Sequence, residues 1–247
     1  MKKLIFFALT ASLLCFNYAC NKEENYPIEV KTAEELYENL EKVFQLSSTN
    51  ALNQFFTEWN KSVSFNTAMS INEKEIYDIY KVFYNPLSFS MKIGDKEYMQ
   101  DSNSKYVVVQ NKIEYAIIGK EHFDNLLAEP INLETIDDFR PPLNLAKNRI
   151  LYQMPEYKEA LNMFLRTEST DGQRKDDFIR PYIPLMRFRS GSWIIGTLPL
   201  VSMIIMDDSR TSAKVYFIIS HMGGVATLKK QANKWIVIEN RATTHID

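Results

Sequence analysis

The sequence contains none of the short motifs that would assign it to a common enzyme class. It has no GxSxG nucleophile elbow, no P-loop, no GxGxxG fingerprint and no HExxH zinc motif. Histidine is scarce, and His122, His221 and His245 do not have a metal-ligand spacing. We therefore expect no metal ion, no cofactor and no set of catalytic residues that can be read from motifs.

Cysteine and excess charge are also lacking. Cys15 and Cys20 are the two cysteines, and removal of a leader before Cys20 would leave one thiol, which excludes a disulfide in the mature chain. The formal net charge of the 247-residue chain is only −2, with 24% charged residues. A near-neutral chain lacks the basic surface that nucleic acids require, so we expect no nucleic-acid partner.

The N-terminus has the pattern of a signal peptide. Lys2 and Lys3 precede an apolar run from Leu4 to Phe16, which is too short to span a bilayer comfortably. Ala19 and Cys20 then resemble the lipobox of bacterial lipoproteins, in which the cysteine is diacylated and becomes the new N-terminus. The resemblance implies a signal peptide over 1–19, a lipid anchor such as palmitate on Cys20, and an outer-membrane location.

Two alternatives to lipidation remain open. The chain departs from the usual lipobox at Asn17 and Tyr18, where an aliphatic and a small residue are commoner. An ordinary secretory signal cleaved after Ala19 is one alternative, and a membrane-spanning anchor is the other.

Residues 20–30 are interpreted as a tether. Within it, Asn21–Glu24 places one lysine and two glutamates after Cys20, and this resembles the surface-export tag of Bacteroidota lipoproteins. A solvated polar linker is the alternative. We expect residues 31–247 to form a single domain, with a possible subdivision near 140–146, where two prolines follow Arg140.

Helices are expected first in the domain. Thr32 and Glu35 form a capping box ahead of an apolar stripe, and further helices are predicted to begin near Ser48, near Asn72 and at Pro155. Between them, two apolar runs on either side of Asn111–Lys112 predict a β-hairpin.

A strand meander is expected to end the chain. Its four predicted strands are 193–206, 213–222, 225–230 and 235–246, with a bend near Pro199. Short connections make neighbouring strands antiparallel. The predicted fold is therefore α+β, with N-terminal helices packed on a long curved antiparallel sheet that ends in a C-terminal four-strand meander.

The C-terminal pattern resembles the nuclear transport factor 2-like, or cystatin-like, superfamily. The matching residues are Gly223, Gly224, Leu228, Lys229, Lys230, Lys234, Trp235 and Val237. The resemblance implies a sheet folded around helices to form a cone-shaped cavity. Members of the superfamily include enzymes, ligand binders and protein-interaction modules, so the fold does not choose a function.

Two functional hypotheses follow. The first is a surface lipoprotein that binds a glycan, a small molecule or a protein. Tyr182 and Trp193 could stack on sugar rings, and Arg187 and Arg189 could hold an anion. The second is a cavity enzyme with His221 as acid or base, because His221 follows an apolar strand face. No carboxylate partner for His221 is evident from the pattern, so no catalytic residue is assigned.

Overall fold

A computed structural model describes ten ranges of the chain. They are residues 31–61, 69–86, 90–93, 96–99, 104–125, 130–143, 150–166, 171–187, 193–219 and 222–245. The expected α+β class is confirmed, because helices lead the domain and a strand meander ends it. The predicted signal peptide and tether lie outside these ranges, as does part of the possible boundary near 140–146.

Six helices lie within these ranges. They are α1 (Ala33–Gln45), α2 (Thr49–Lys61), α3 (Ile71–Phe83), α4 (Lys120–Asp124), α5 (Pro155–Leu165) and α6 (Asp171–Ile179). The capping box predicted for α1 is confirmed, since Thr32 Oγ1 accepts from the Glu35 N–H and the Glu35 carboxylate accepts from the Thr32 N–H. Ser70 and Glu73 form the same arrangement at α3. Pro155 occupies the first turn of α5, as expected.

The largest sheet has eight strands. They are β1 (Ser90–Ile93), β2 (Lys96–Met99), β4 (Ile113–Ile118), β5 (Glu134–Ile136), β9 (Leu200–Asp207), β10 (Ser212–Ile219), β11 (Met222–Gln231) and β12 (Lys234–His245). Their order across the sheet is β2-β1-β12-β11-β10-β9-β4-β5. The meander β9–β12 is antiparallel throughout, as predicted. Its flanks are not, because β4 runs parallel to β9 and β1 runs parallel to β12.

Two small sheets complete the described strands. A parallel pair joins β3 (Val107–Val109) to β6 (Ile150–Tyr152), and an antiparallel hairpin joins β7 (Leu185–Arg187) to β8 (Trp193–Ile195). The long strand predicted over 193–206 is therefore divided between two sheets. The break falls at Gly196–Pro199, where Thr197 bonds to β3 instead: its N–H donates to the Val108 carbonyl and its Oγ1 accepts from the Val108 N–H.

The hairpin predicted around Asn111–Lys112 is wrong. Its two strands are β3 and β4, and each pairs with other strands. The Gln110 side chain explains the divergence. Its Nε2 donates to the Val201 carbonyl at 2.7 Å and its Oε1 accepts from the Val201 N–H at 2.9 Å. The carboxamide thus takes the place of a backbone hydrogen-bonding partner for Val201. The chain passes at this point from the small β3–β6 sheet to the eight-stranded sheet.

Two hydrophobic cores meet at the parallel pair β3–β6. Val108 and Leu151 face a core built mainly from α1, α2, α5 and α6. Val107, Val109 and Tyr152 face a second core between α3 and the large sheet. Successive side chains of a strand point to opposite faces, so β3 and β6 each contribute buried residues to both cores.

Gly224 is required by close packing in the sheet core. Gly224 lies opposite Phe217, and a Cβ atom at Gly224 would lie 2.3 Å from the Phe217 ring. The Phe217 ring also contacts Phe83 of α3, with ring centroids 5.0 Å apart. The Gly223–Gly224 pair lies at a β-bulge, where the pairing of β11 with β12 shifts register.

Candidate functional site

Trp193 and Arg187 come together on the β7–β8 hairpin. They are directly opposite each other, and the Arg187 guanidinium carbon lies 5.8 Å from the centre of the Trp193 ring. Arg187 is exposed, whereas Trp193 is half-buried against the helical core. Trp59 and Trp235 are only 0% and 5% exposed, so Trp193 is the tryptophan that retains accessible ring surface. The pair can offer a ring and a cation to one ligand.

Tyr182 lies in the helical core and not at this surface. Its ring stacks on Phe56 with centroids 5.1 Å apart, and Lys105 Nζ lies 5.2 Å from the ring centre. Burial raises the pKa of the Tyr182 hydroxyl above its usual value. A ring covered in this way is not free to stack on a sugar. Arg189, the other predicted member of the site, lies outside the described residues.

The strand face that precedes His221 is packed with side chains. Val215, Phe217 and Ile219 are at most 1% exposed and belong to the sheet core beneath α3. This face therefore contributes core residues where the cystatin-like resemblance implies a cavity wall. His221 itself lies outside the described residues.

Trp235 anchors α3 to the end of the meander. Its Nε1 donates to Glu75 at 2.9 Å, and Lys230 Nζ donates to the same carboxylate at 2.6 Å. Burial alone would raise the pKa of Glu75, but these two hydrogen bonds and the positive charges of Lys230 and Arg210 together hold the pKa below its usual value. Trp235 itself is buried. The sequence pattern did not indicate its partner Glu75.

Asp207 closes the β9–β10 turn. The carboxylate is fully buried and accepts hydrogen bonds from the backbone of Thr211 and Ser212 and from the hydroxyls of Ser209 and Thr211. Burial would raise the pKa of Asp207, yet the hydrogen bonds together lower it. Asp207 thus serves the turn, a role typical of aspartate, while the Asp208 N–H donates to the Ile118 carbonyl of β4.

A pocket of about 280 Å³ lies at the end of β4. Ile117, Ile118, Pro130 and Ile131 form its apolar lining, and three polar side chains join them: His122, Asn125 and Asn132. No sequence pattern indicated this pocket, because an imidazole and two carboxamides at these spacings match no known ligand motif. The lining chemistry suits hydrogen bonding to an uncharged molecule.

Two further properties concern the part of the chain that the structure describes. In those ranges no group of three or more histidine, cysteine or acidic side chains is placed to hold a metal ion. None of the helices found there has the length and apolar character needed to cross a membrane.

Comparison with protein-family models, with curated proteins and with solved structures finds no match for this chain.

Proposed function

We propose that this protein is an outer-membrane lipoprotein whose folded body binds a ligand or partner at the cell surface. The observation that carries the proposal is the order of features at the N-terminus: Lys2–Lys3, an apolar run, and then Ala19–Cys20. Two acyl chains on Cys20 would hold the protein stably, because each buried methylene contributes about 0.8 kcal/mol and a single chain binds only marginally.

The binding role is supported by the Trp193–Arg187 surface. A half-buried tryptophan is fixed on one side by the helical core and stays accessible on the other. Such a ring loses little conformational freedom on binding, and the neighbouring guanidinium adds five hydrogen-bond donors. A glycan, a small molecule or a protein side chain could occupy this surface. The alternative, an enzyme using His221, is weakened because the strand face before His221 is occupied by core residues.

Cys20→Ala should release the protein from membranes. Without the thiol no diacylglyceryl group can attach, so the variant should move from the detergent phase to the aqueous phase on phase separation. Cys15→Ala is the matched control, since it removes the other cysteine and should leave partitioning unchanged. Equal partitioning of the Cys20→Ala protein and the parent would refute the anchor.

Protease accessibility on whole cells measures surface exposure. Deleting Lys22–Glu24 should make the protein resistant to added protease while leaving its lipid anchor intact. Unchanged protease sensitivity would assign residues 21–24 to a plain linker.

Trp193→Ala should weaken glycan binding strongly if the hairpin surface is the binding site. On a glycan array, the full-length Cys20→Ala chain supplies the soluble parent. We expect Trp193→Ala to weaken binding at least about tenfold and Arg187→Ala to weaken it less, because buried aromatic anchors dominate binding energies. Trp193→Phe keeps an aromatic ring and should retain most of the affinity. Array signals that are equal for Trp193→Ala and the parent would exclude this surface.

A further inference from the structure

We infer that the pocket at the end of β4 binds a small uncharged molecule rich in hydroxyl groups, of the size of a single neutral sugar ring. This inference rests on the proposed binding function but uses a different surface from Trp193 and Arg187. Its basis is the side-chain chemistry that the fold collects around one cavity of about 280 Å³.

The polar side chains of the lining have the hydrogen-bond donors and acceptors that hydroxyl groups need. Each of the carboxamides of Asn125 and Asn132 carries both a donor and an acceptor, and the His122 imidazole adds ring nitrogens. A hydroxyl group is likewise both a donor and an acceptor, so adjacent hydroxyls can form hydrogen bonds with these groups, and no ionic partner is needed. The aliphatic lining from Ile117, Ile118 and Ile131 suits the C–H face of the same molecule.

Among the described residues that line the pocket there is no lysine, arginine, aspartate or glutamate. The charged side chains of Lys120, Asp124 and Lys214 make contacts of their own. Lys120 pairs with Asp124 at 3.8 Å, and both of these side chains are more than half exposed. Lys214 Nζ donates to the Phe123 carbonyl at 3.0 Å and lies 4.8 Å from the Phe123 ring. A carboxylate or phosphate ligand would therefore meet no lysine or arginine among the described lining residues, which favours a neutral ligand.

The wall of the pocket is held in place by the body of the protein. Phe123 is buried and fixes α4 on the sheet, and its N–H donates to the Gly119 carbonyl at 2.9 Å. The Asn125 Nδ2 donates to the Glu121 carbonyl, which orients the carboxamide. A polar group held in advance loses less freedom on binding. The volume equals that of about nine water molecules in the liquid, at roughly 30 Å³ each, which is enough for one sugar ring.

Ligand-observed NMR titration of the full-length Cys20→Ala chain tests the inference. The probes are glucose, galactose, mannose and N-acetylglucosamine, with glucuronic acid as the charged counterpart. We expect at least one neutral sugar to bind and glucuronic acid to bind more weakly than glucose. Asn125→Ala and Asn132→Ala should each raise the dissociation constant by about two- to tenfold, the effect of one net hydrogen bond. Both asparagines are exposed, so neither change should disturb folding.

Asn85→Ala is the matched control, because Asn85 is an exposed asparagine at the end of α3 and does not line the pocket. Its dissociation constant should equal that of the parent. The inference is overturned if no neutral sugar binds, if glucuronic acid binds as well as glucose, or if the two pocket variants bind like the parent. Sugar binding that is lost in Trp193→Ala but kept in Asn132→Ala overturns this site while supporting the proposed function. Failure of the proposed function is separately visible, as an unchanged partition of Cys20→Ala.

Discussion

Replacing Trp235 with alanine should lower the free energy of unfolding by about 3–5 kcal/mol, through lost burial and the cavity left behind. The Trp235 ring belongs to the sheet core, and its Nε1 donates to Glu75 on α3. The substitution therefore removes both a large buried surface and a link between α3 and β12. Since domains of this kind are stable by only about 5–15 kcal/mol in total, we expect the variant to melt far below the parent or to be poorly soluble.

Chemical denaturation followed by circular dichroism measures the change. Trp235→Phe is the matched control, since it keeps an aromatic ring in the core and loses the hydrogen bond to Glu75, and its stability should lie between parent and alanine variant. Arg187→Ala, at an exposed hairpin position, should change stability by less than about 0.5 kcal/mol. A Trp235→Ala protein as stable as the parent would contradict the packing of β12 on α3.

Raising the pH above about 10 should unfold the protein steeply. Tyr80, Tyr84 and Tyr152 are at most 3% exposed, and burial raises the pKa of each hydroxyl well above its usual value of 10. Burial and a hydrogen bond to Glu134 raise the pKa of Tyr115 to about 12. Above pH 10 the unfolded chain releases these protons and the folded chain keeps them. The stabilisation is thus complete below pH 10 and is lost as the pH rises toward the folded pKa values.

Each such tyrosine contributes about 1.4 kcal/mol of lost stability per pH unit in that range. Tyrosinate absorbance and circular dichroism, recorded together, should show a group of hydroxyls that ionises only as the secondary structure is lost. Ionisation of all thirteen tyrosines near pH 10 in a chain that stays folded would contradict the buried positions.

Tyr80→Phe isolates the contribution of one hydroxyl. The buried Tyr80 oxygen makes no hydrogen bond, so its removal should raise stability at neutral pH by about 1–3 kcal/mol, the cost of an unpaired buried hydroxyl, while reducing the alkaline slope by one proton. In contrast, Tyr84 donates to the Thr197 carbonyl at 3.1 Å. Tyr84→Phe should therefore cost about 1–3 kcal/mol at neutral pH as well, because a buried acceptor loses its donor.

The elements that could be predicted from sequence are those with local causes. The Thr32–Glu35 capping box and the apolar stripe that follows it specify α1 without reference to the rest of the chain. The meander has short turns, such as the one that Asp207 closes, and short turns leave consecutive strands no partner other than each other.

Strand partners that are distant in sequence could not be predicted in this way. The runs on either side of Asn111–Lys112 have the composition of a hairpin, but the Gln110 carboxamide bonds to Val201, 91 residues later. For the same reason the hydrogen bond between Trp235 and Glu75, which are 160 residues apart, could not be predicted. Nothing local in either segment records such a contact.

The candidate site shows the same division. The sequence indicated Arg187 and Trp193 only as separate candidate contacts, and the hairpin that places them opposite each other has no local signal in the sequence. Composition could not show that Trp193 is accessible and Tyr182 is buried. The Tyr182 ring is covered by Phe56 and Lys105, which are distant in sequence. The pocket beside α4 was missed because its polar lining follows no motif.

The N-terminal peptide of the protein purified from membranes tests the central proposal most directly. Mass spectrometry should find a mature chain that begins at Cys20, lacks residues 1–19, and carries a thioether-linked diacylglyceryl group on the cysteine sulfur. A chain that begins at Cys20 with a free thiol, or one that still carries Lys2 and Lys3, would contradict the lipid anchor on which the proposed cell-surface binding role depends.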